Sequence, residues 1–244
     1  MKNLTTILFI FILLSCAKND DYEYVFNNSD DNPIDEIDDI QDSIVSILSL
    51  GDSYTIGQSV CETCRFPEQL KDSLISSTQS NAFDLKIIAQ TGWTTTNLIN
   101  AVNNEDLESN YDLITLLIGV NNQYQHLDFS LYQSEFPQLV QMAISAANGN
   151  KDKLIVISIP DYAYTTFGQQ DYFYDTISPE IDQYNAYAEN YCESLDITYV
   201  YITDITRLGI EQPELVASDG LHPSELAYSK FVERILPHAL EKID

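Results

Sequence analysis

Five short runs of Ile, Leu and Val, at about residues 44–50, 84–89, 112–118, 153–159 and 197–202, alternate with stretches of helical pattern. The runs are too short for helices and lack a polar face, as strands covered on both sides must. The helical stretches lie at about 66–78, 94–103, 129–148, 179–195 and 224–242. Pro67 falls in the first turn of the first, and Ser224 is placed to cap the last. Such alternation predicts a doubly wound, parallel α/β sheet. No internal repeat and no second domain interrupts it, and 244 residues suffice for one sizeable core.

Open parallel sheets bind ligands outside the carboxyl ends of their strands. Polar signals stand at those places here. The first apolar run ends in Gly51-Asp52-Ser53-Tyr54. Ala89-Gln90-Thr91-Gly92 follows the second, and Gly119-Val120-Asn121-Asn122 the third. Asp219-Gly220-Leu221-His222-Pro223 leads into the last helix. A serine hydroxyl needs a base to take its proton, and the base needs an orienting carboxylate. Ser53, His222 and Asp219 meet those needs. Alone, Gly-Asp-Ser or Asp-Gly is an ordinary turn; the joint order at strand ends carries the argument. His126 and His238 are competing bases. His238 sits within the last helical stretch without an Asp three residues before it, and His126 lies in a polar loop suited to a rim. A nucleophile elbow of the G-x-S-x-G kind does not fit, because Thr55 stands two residues after Ser53.

With these four ordered segments the chain resembles the SGNH (GDSL) hydrolase family over nearly all of residues 43–244, the expected hydrolase domain. The resemblance implies a three-layer α/β/α sandwich around a flavodoxin-like, five-stranded parallel sheet. It implies Ser53 as nucleophile, His222 as base and Asp219 as the third triad member. It places the oxyanion hole at the backbone N–H of Ser53, the N–H of Gly92 and the side-chain amide of Asn121. No metal and no cofactor are implied. Asn122 departs from the family pattern, which has Asp after the marker Asn.

The N-terminus reads as a targeting segment. Lys2 precedes a mostly apolar stretch from Leu4 to Leu14, and Leu13-Leu14-Ser15-Cys16 matches the lipobox of bacterial lipoproteins. Residues 1–15 are therefore expected to be a signal peptide and Cys16 the lipidated residue. The run is shorter than the ~20 residues of a spanning helix; a plain secretory signal is the other alternative. Residues 16–42 are rich in Asp, Asn and Glu and bury little apolar surface, which predicts an extended acidic tether. An exported protein lipid-anchored to a bacterial envelope, at the outer membrane, is the expectation.

Cys61 and Cys64, spaced Cys-Glu-Thr-Cys, are expected to form a small disulfide in an oxidising compartment. Free thiols, or a metal or redox site, are the alternatives. Zinc wants about four ligands and no second cysteine pair exists; a thioredoxin-like site needs a helix starting at the first Cys. Cys192, in a helical stretch, reads as a buried apolar residue.

A formal net charge of −27, with only 11 Lys and Arg, excludes nucleic acid as a natural partner. The segment 161–178 carries Tyr162, Tyr164, Phe167, Tyr172, Phe173 and Tyr174, which either wall a pocket or pack the loop onto the body. The function that unites these readings is hydrolysis of a carboxylic ester through an acyl-enzyme, on a small ester or an acylated carbohydrate or lipid, by a monomer. A non-catalytic, glycan-binding surface lipoprotein and an acyltransferase to sugar hydroxyls are the alternatives. A binding module would have no need for Ser53, Asp219 and His222 together.

Overall fold

A computed structural model describes residues 44–78 and 82–243. The expected signal peptide, Cys16 and the tether lie outside the described residues. Strand β1 is Val45–Gly51, followed by the one-turn helix α1 (Ser53–Ile56) and by α2 (Phe66–Thr78). Then come β2 (Phe83–Ala89), α3 (Thr95–Asn104), β3 (Leu113–Leu117), α4 (Val120–Tyr124) and α5 (Phe129–Ala146). The chain continues through β4 (Leu154–Ile157), α6 (Tyr174–Ser194), β5 (Thr198–Val200), α7 (Thr203–Thr206) and α8 (Glu225–Ile243).

The five strands form one sheet, order β2-β1-β3-β4-β5, with every pairing parallel. Helices cover both faces, as the doubly wound reading anticipated. Helix α8 packs on α2 and on β3, β4 and β5, while α5 packs on α3, α6 and β3. Every residue of β3 and β4 is buried, so neither strand shows apolar–polar alternation. Ser49 of β1 is buried too, and the Thr115 hydroxyl beside it in register donates to its Oγ at 2.9 Å, which satisfies both. The edge strand β2 is mostly half-exposed and carries Lys86, a charge that discourages further strand pairing.

Register sets the site. Gly51 pairs with Ala89 on one side and Leu117 on the other, so β1, β2 and β3 finish along one line. The strand order changes direction between β1 and β3, which opens a crevice at those ends.

Helices α5, α6 and α8 each contain a proline. Helix α6 starts at Tyr174, earlier than the expected 179, with Pro179 inside it. Ile177, which is buried, draws the extra turn onto the body. In α5, Pro137 has no N–H to give to Gln133, four residues back. The hydroxyl of Tyr187, on α6, takes that carbonyl at 2.8 Å.

Candidate active site

The nucleophile candidate is set by the end of β1. A Cβ on Gly51 would collide with the Thr55 hydroxyl and the Leu117 carbonyl, so only glycine lets the chain turn here. Asp52 then caps α1, its Oδ1 accepting the Tyr54 N–H at 3.0 Å. Ser53 is the first residue of α1 and is buried. Its N–H is one of the helix's unpaired leading donors and bonds to no group among the described residues.

Asp52 is fully buried. Burial pushes its carboxyl up to about 7, against the opposing pull of the Tyr54 N–H and the Asn121 amide. Its Oδ2 lies 3.4 Å from Asn121 Nδ2.

The loop after β2 carries Gly92 at φ 83°, a left-handed conformation in which a side chain is strained. A Cβ there would meet nothing, so conformation rather than crowding calls for glycine. The Gly92 N–H also has no partner among the described residues. Three bonds hold this loop. Gln125 Nε2 donates to the Gly92 carbonyl at 3.2 Å, Asn121 Nδ2 to the Trp93 carbonyl at 3.0 Å, and the Thr91 hydroxyl to Gln58 at 2.6 Å.

Asn121 and Asn122 lie in α4, entered through Gly119 at φ 130°, where a Cβ would run into the Tyr132 ring. Asn122 is fully buried. Its Oδ1 accepts the Thr95 N–H at 2.9 Å and its Nδ2 donates to the Thr95 hydroxyl at 2.7 Å. The Thr95 hydroxyl in turn donates to Glu135. An amide supplies both the acceptor and the donor that Thr95 uses, whereas a carboxylate supplies only acceptors. Asn122 is thus a strut between α4 and the start of α3, which is the structural meaning of the unusual residue after Asn121.

Asp219 and His222 sit in the loop before α8. Asp219 Oδ1 accepts the N–H groups of Leu221 and His222, each at 3.0 Å. Its Oδ2 lies 2.6 Å from His222 Nδ1 and accepts the Ser59 hydroxyl, also at 2.6 Å. Partial burial raises the Asp219 pKa. Bonds from the Ser59 hydroxyl, the His222 ring and the two N–H groups outweigh it and hold the carboxyl well below the usual carboxylate range. The His222 carbonyl accepts the Ala217 N–H at 2.7 Å, and the Tyr54 ring stands 5.2 Å from the imidazole. Buried His222 is thereby held from its backbone, one ring nitrogen and one ring face.

Ser53, Gly92, Asn121 and His222 open into one cavity of about 300 Å³. No hydrogen bond joins Ser53 to His222 among the described residues; such contacts often tighten only with substrate. The remaining wall is Tyr54, Thr91, Val120, Tyr124, Tyr162, Phe167 and Leu221. Apart from His222 it carries no ionisable acid or base of the Asp, Glu, Lys or Arg kind. The aromatic segment therefore divides. Tyr162 and Phe167 line the cavity, Tyr164 and Tyr174 pack on the core, and Tyr172 and Phe173 are exposed. His126 touches Phe173, ring centres 5.0 Å apart, and does not line the cavity. His238 lies on α8, 3.9 Å from Glu241.

Cys61 and Cys64 are joined as a disulfide. Cys192 is a buried free thiol, pushed up to about 12 by burial. Among the described residues no group of three or more His, Cys, Asp or Glu is arranged to hold a metal ion, and no helix is long and apolar enough to cross a membrane.

Ser59 and Tyr124 are parts of the site that the sequence did not announce. Asp52 stood in the motif, yet its contact with Asn121 depends on the β1–β3 register.

Residues 49–230 match the GDSL-like Lipase/Acylhydrolase family. No curated protein matches the chain in sequence. Among solved structures, a lipase/acylhydrolase from Enterococcus faecalis is similar with a TM-score of 0.61 at 19% identity, over 80% of this chain and 94% of that one. An alpha/beta hydrolase enzyme from the metagenome of Lake Arreo, Spain, has a TM-score of 0.60 at 16% identity, over 83% and 97%. An acetylxylan esterase from Geobacillus stearothermophilus has 0.57 at 17%, over 81% and 94%. At these identities the likeness is one of fold.

Proposed function

Since the chain belongs to the GDSL-like lipase/acylhydrolase family and is a hydrolase acting on esters, we propose that Ser53, His222 and Asp219 hydrolyse a carboxylic ester through an acyl-enzyme. The observation that carries this is the opening of Ser53, Gly92, Asn121 and His222 into one cavity, with His222 Nδ1 bonded to Asp219.

The Ser53 hydroxyl attacks the ester carbonyl while His222 Nε2 takes its proton. Asp219 holds Nδ1–H, which keeps Nε2 free as acceptor, and balances the imidazolium that forms. The carbonyl oxygen becomes an oxyanion. The unpaired N–H groups of Ser53 and Gly92 and the Asn121 amide receive it; Asn121 moves one N–H from the long Asp52 contact to do so. His222 then protonates the leaving alcohol, and the acyl group remains on Ser53. Water, deprotonated by His222, attacks the acyl-enzyme; collapse releases the acid and restores the Ser53 hydroxyl.

The substrate we propose is uncharged at the reacting end, since the wall offers no cation to an anion. A cavity of about 300 Å³ stands at the small end of ligand pockets, which favours a short acyl group over a long chain. The acetylxylan esterase and the lipase/acylhydrolase that share the fold make both acetylated sugars and lipid esters worth assaying. The test is a series of p-nitrophenyl esters of rising acyl length beside acetylated oligosaccharides, with Ser53→Ala and a fluorophosphonate label. Loss of kcat by roughly 10⁴-fold in Ser53→Ala and labelling at Ser53 alone support the reading. Near-normal turnover by that variant refutes it.

We also propose that Cys16 carries lipid and anchors the domain to the bacterial envelope. Lipobox and acidic tether support this. Cys16→Ser should release the protein from membranes at unchanged specific activity; wild-type protein found wholly soluble and free of lipid would overturn it.

A further inference from the structure

Asp219 has a partner that a serine–histidine–aspartate arrangement does not require. The Ser59 hydroxyl donates to Asp219 Oδ2 at 2.6 Å across 160 positions of sequence, onto the same oxygen that faces His222 Nδ1. An ionised carboxylate only accepts, so the hydroxyl is the donor. Ser59 adopts φ 70°, a left-handed conformation uncommon outside glycine and found where surroundings over-determine the backbone.

The source of that conformation is the nucleophile's own helix. The N–H groups of Gly57 and Gln58 both close on the Ser53 carbonyl, at 3.1 and 3.0 Å, and Gly57 ends α1 in the left-handed region. Val60 N–H bonds to the Gly57 carbonyl at 3.3 Å, which turns the chain through Ser59. On one side Gln58 is held by Thr91, and on the other the chain enters the Cys61–Cys64 bridge. Ser59 is thus placed by α1 and pinned from both flanks, with its hydroxyl delivered to a loop far along the chain.

We propose that Ser59 is a positioning residue for the reaction: its hydroxyl fixes the Asp219 carboxylate so that Oδ2 stays on His222 Nδ1, and it ties the helix carrying Ser53 to the loop carrying the base. The proposal rests on the triad reading given above. Asp219 Oδ1 keeps its two backbone donors without Ser59, so the loss should be partial and fall on kcat.

The test uses Ser59→Gly and Ser59→Ala, with Ser53→Ala in parallel, on p-nitrophenyl acetate, together with thermal unfolding. Both variants remove the hydroxyl, but only glycine relieves the left-handed backbone. The expected result is kcat lower by roughly 10-fold in both, with KM within about two-fold. The Tm of Ser59→Gly should be at or above that of Ser59→Ala. A glycine variant with wild-type kcat, or kcat that merely follows Tm through the pair, overturns the role. Because Ser59→Gly has no strain to suffer, a poorly folding alanine variant leaves the test standing. Turnover surviving in Ser53→Ala would instead bring down the triad reading itself, whatever the Ser59 variants do.

Discussion

Asp52 offers a measurement of the site that needs no substrate. Its carboxyl is buried, and its pKa stands at about 7 in the fold against 3.8 in an open chain. The folded state therefore binds more protons than the unfolded state between those values. The stability tied to Asp52 is full below pH 3.8, declines as pH rises and is gone above about 7. One pKa unit corresponds to about 1.36 kcal/mol. From pH 5 to pH 8 the slope tapers near 7, and the wild type should lose about 2 to 3 kcal/mol relative to Asp52→Asn. The asparagine still offers an oxygen to the Tyr54 N–H, but turns a donor toward Asn121. That penalty is the same at every pH and cancels in the comparison. Urea unfolding of both proteins at pH 5, 6, 7 and 8, with m checked for constancy, measures the difference. Parallel stability curves for the two proteins would refute the assignment of a neutral buried carboxyl at this position.

Three further outcomes follow from other contacts. Asn122→Asp removes the N–H that Thr95 Oγ1 accepts and buries a carboxylate in its place; it should cost about 1–3 kcal/mol, read as a lower urea midpoint, together with reduced esterase activity from the loosened Gly92 loop. Tyr187→Phe leaves the Gln133 carbonyl opposite Pro137 without its donor and should cost about 1 kcal/mol, visible as a small fall in Tm at unchanged kcat. Phe167→Ala opens the apolar wall of the cavity and should raise KM for p-nitrophenyl esters by roughly 2- to 10-fold while kcat stays within about two-fold; an unchanged KM would place Phe167 outside substrate contact.

Local spacing made much of this legible. Gly51, Gly92 and Gly119 stand at strand ends, where a turn must follow, and the short apolar runs could only be covered strands. Asp219 and His222 are three residues apart, so their bond is closed within one turn of loop. Ser59 left no such trace, because its partner lies 160 positions away and only folding shows the encounter. Asn122 registered as a departure from a pattern, but its reason resides in Thr95 and Glu135 on two other helices. Tyr124 was unreadable for a different cause. It follows Asn121 by one turn of a short helix that the apolar periodicity does not reveal. The early start of α6 was hidden by Pro179, which ordinarily marks a beginning.

The flush ends of β1, β2 and β3 have a consequence for refolding. Side chains alternate along a strand, so a slip of one residue between β1 and β3 would turn an entire strand over and shift its end by about 3.3 Å. Ser53 and Asn121 hang from those two strands, two residues beyond Gly51 and four beyond Leu117. A mispaired sheet could still be compact and give helical and strand signals in a spectrum, but Ser53 and Asn121 would no longer open into one cavity. Ester turnover regained after denaturant is diluted out is therefore a vernier on strand alignment, sensitive to a single-residue error that compactness alone would pass.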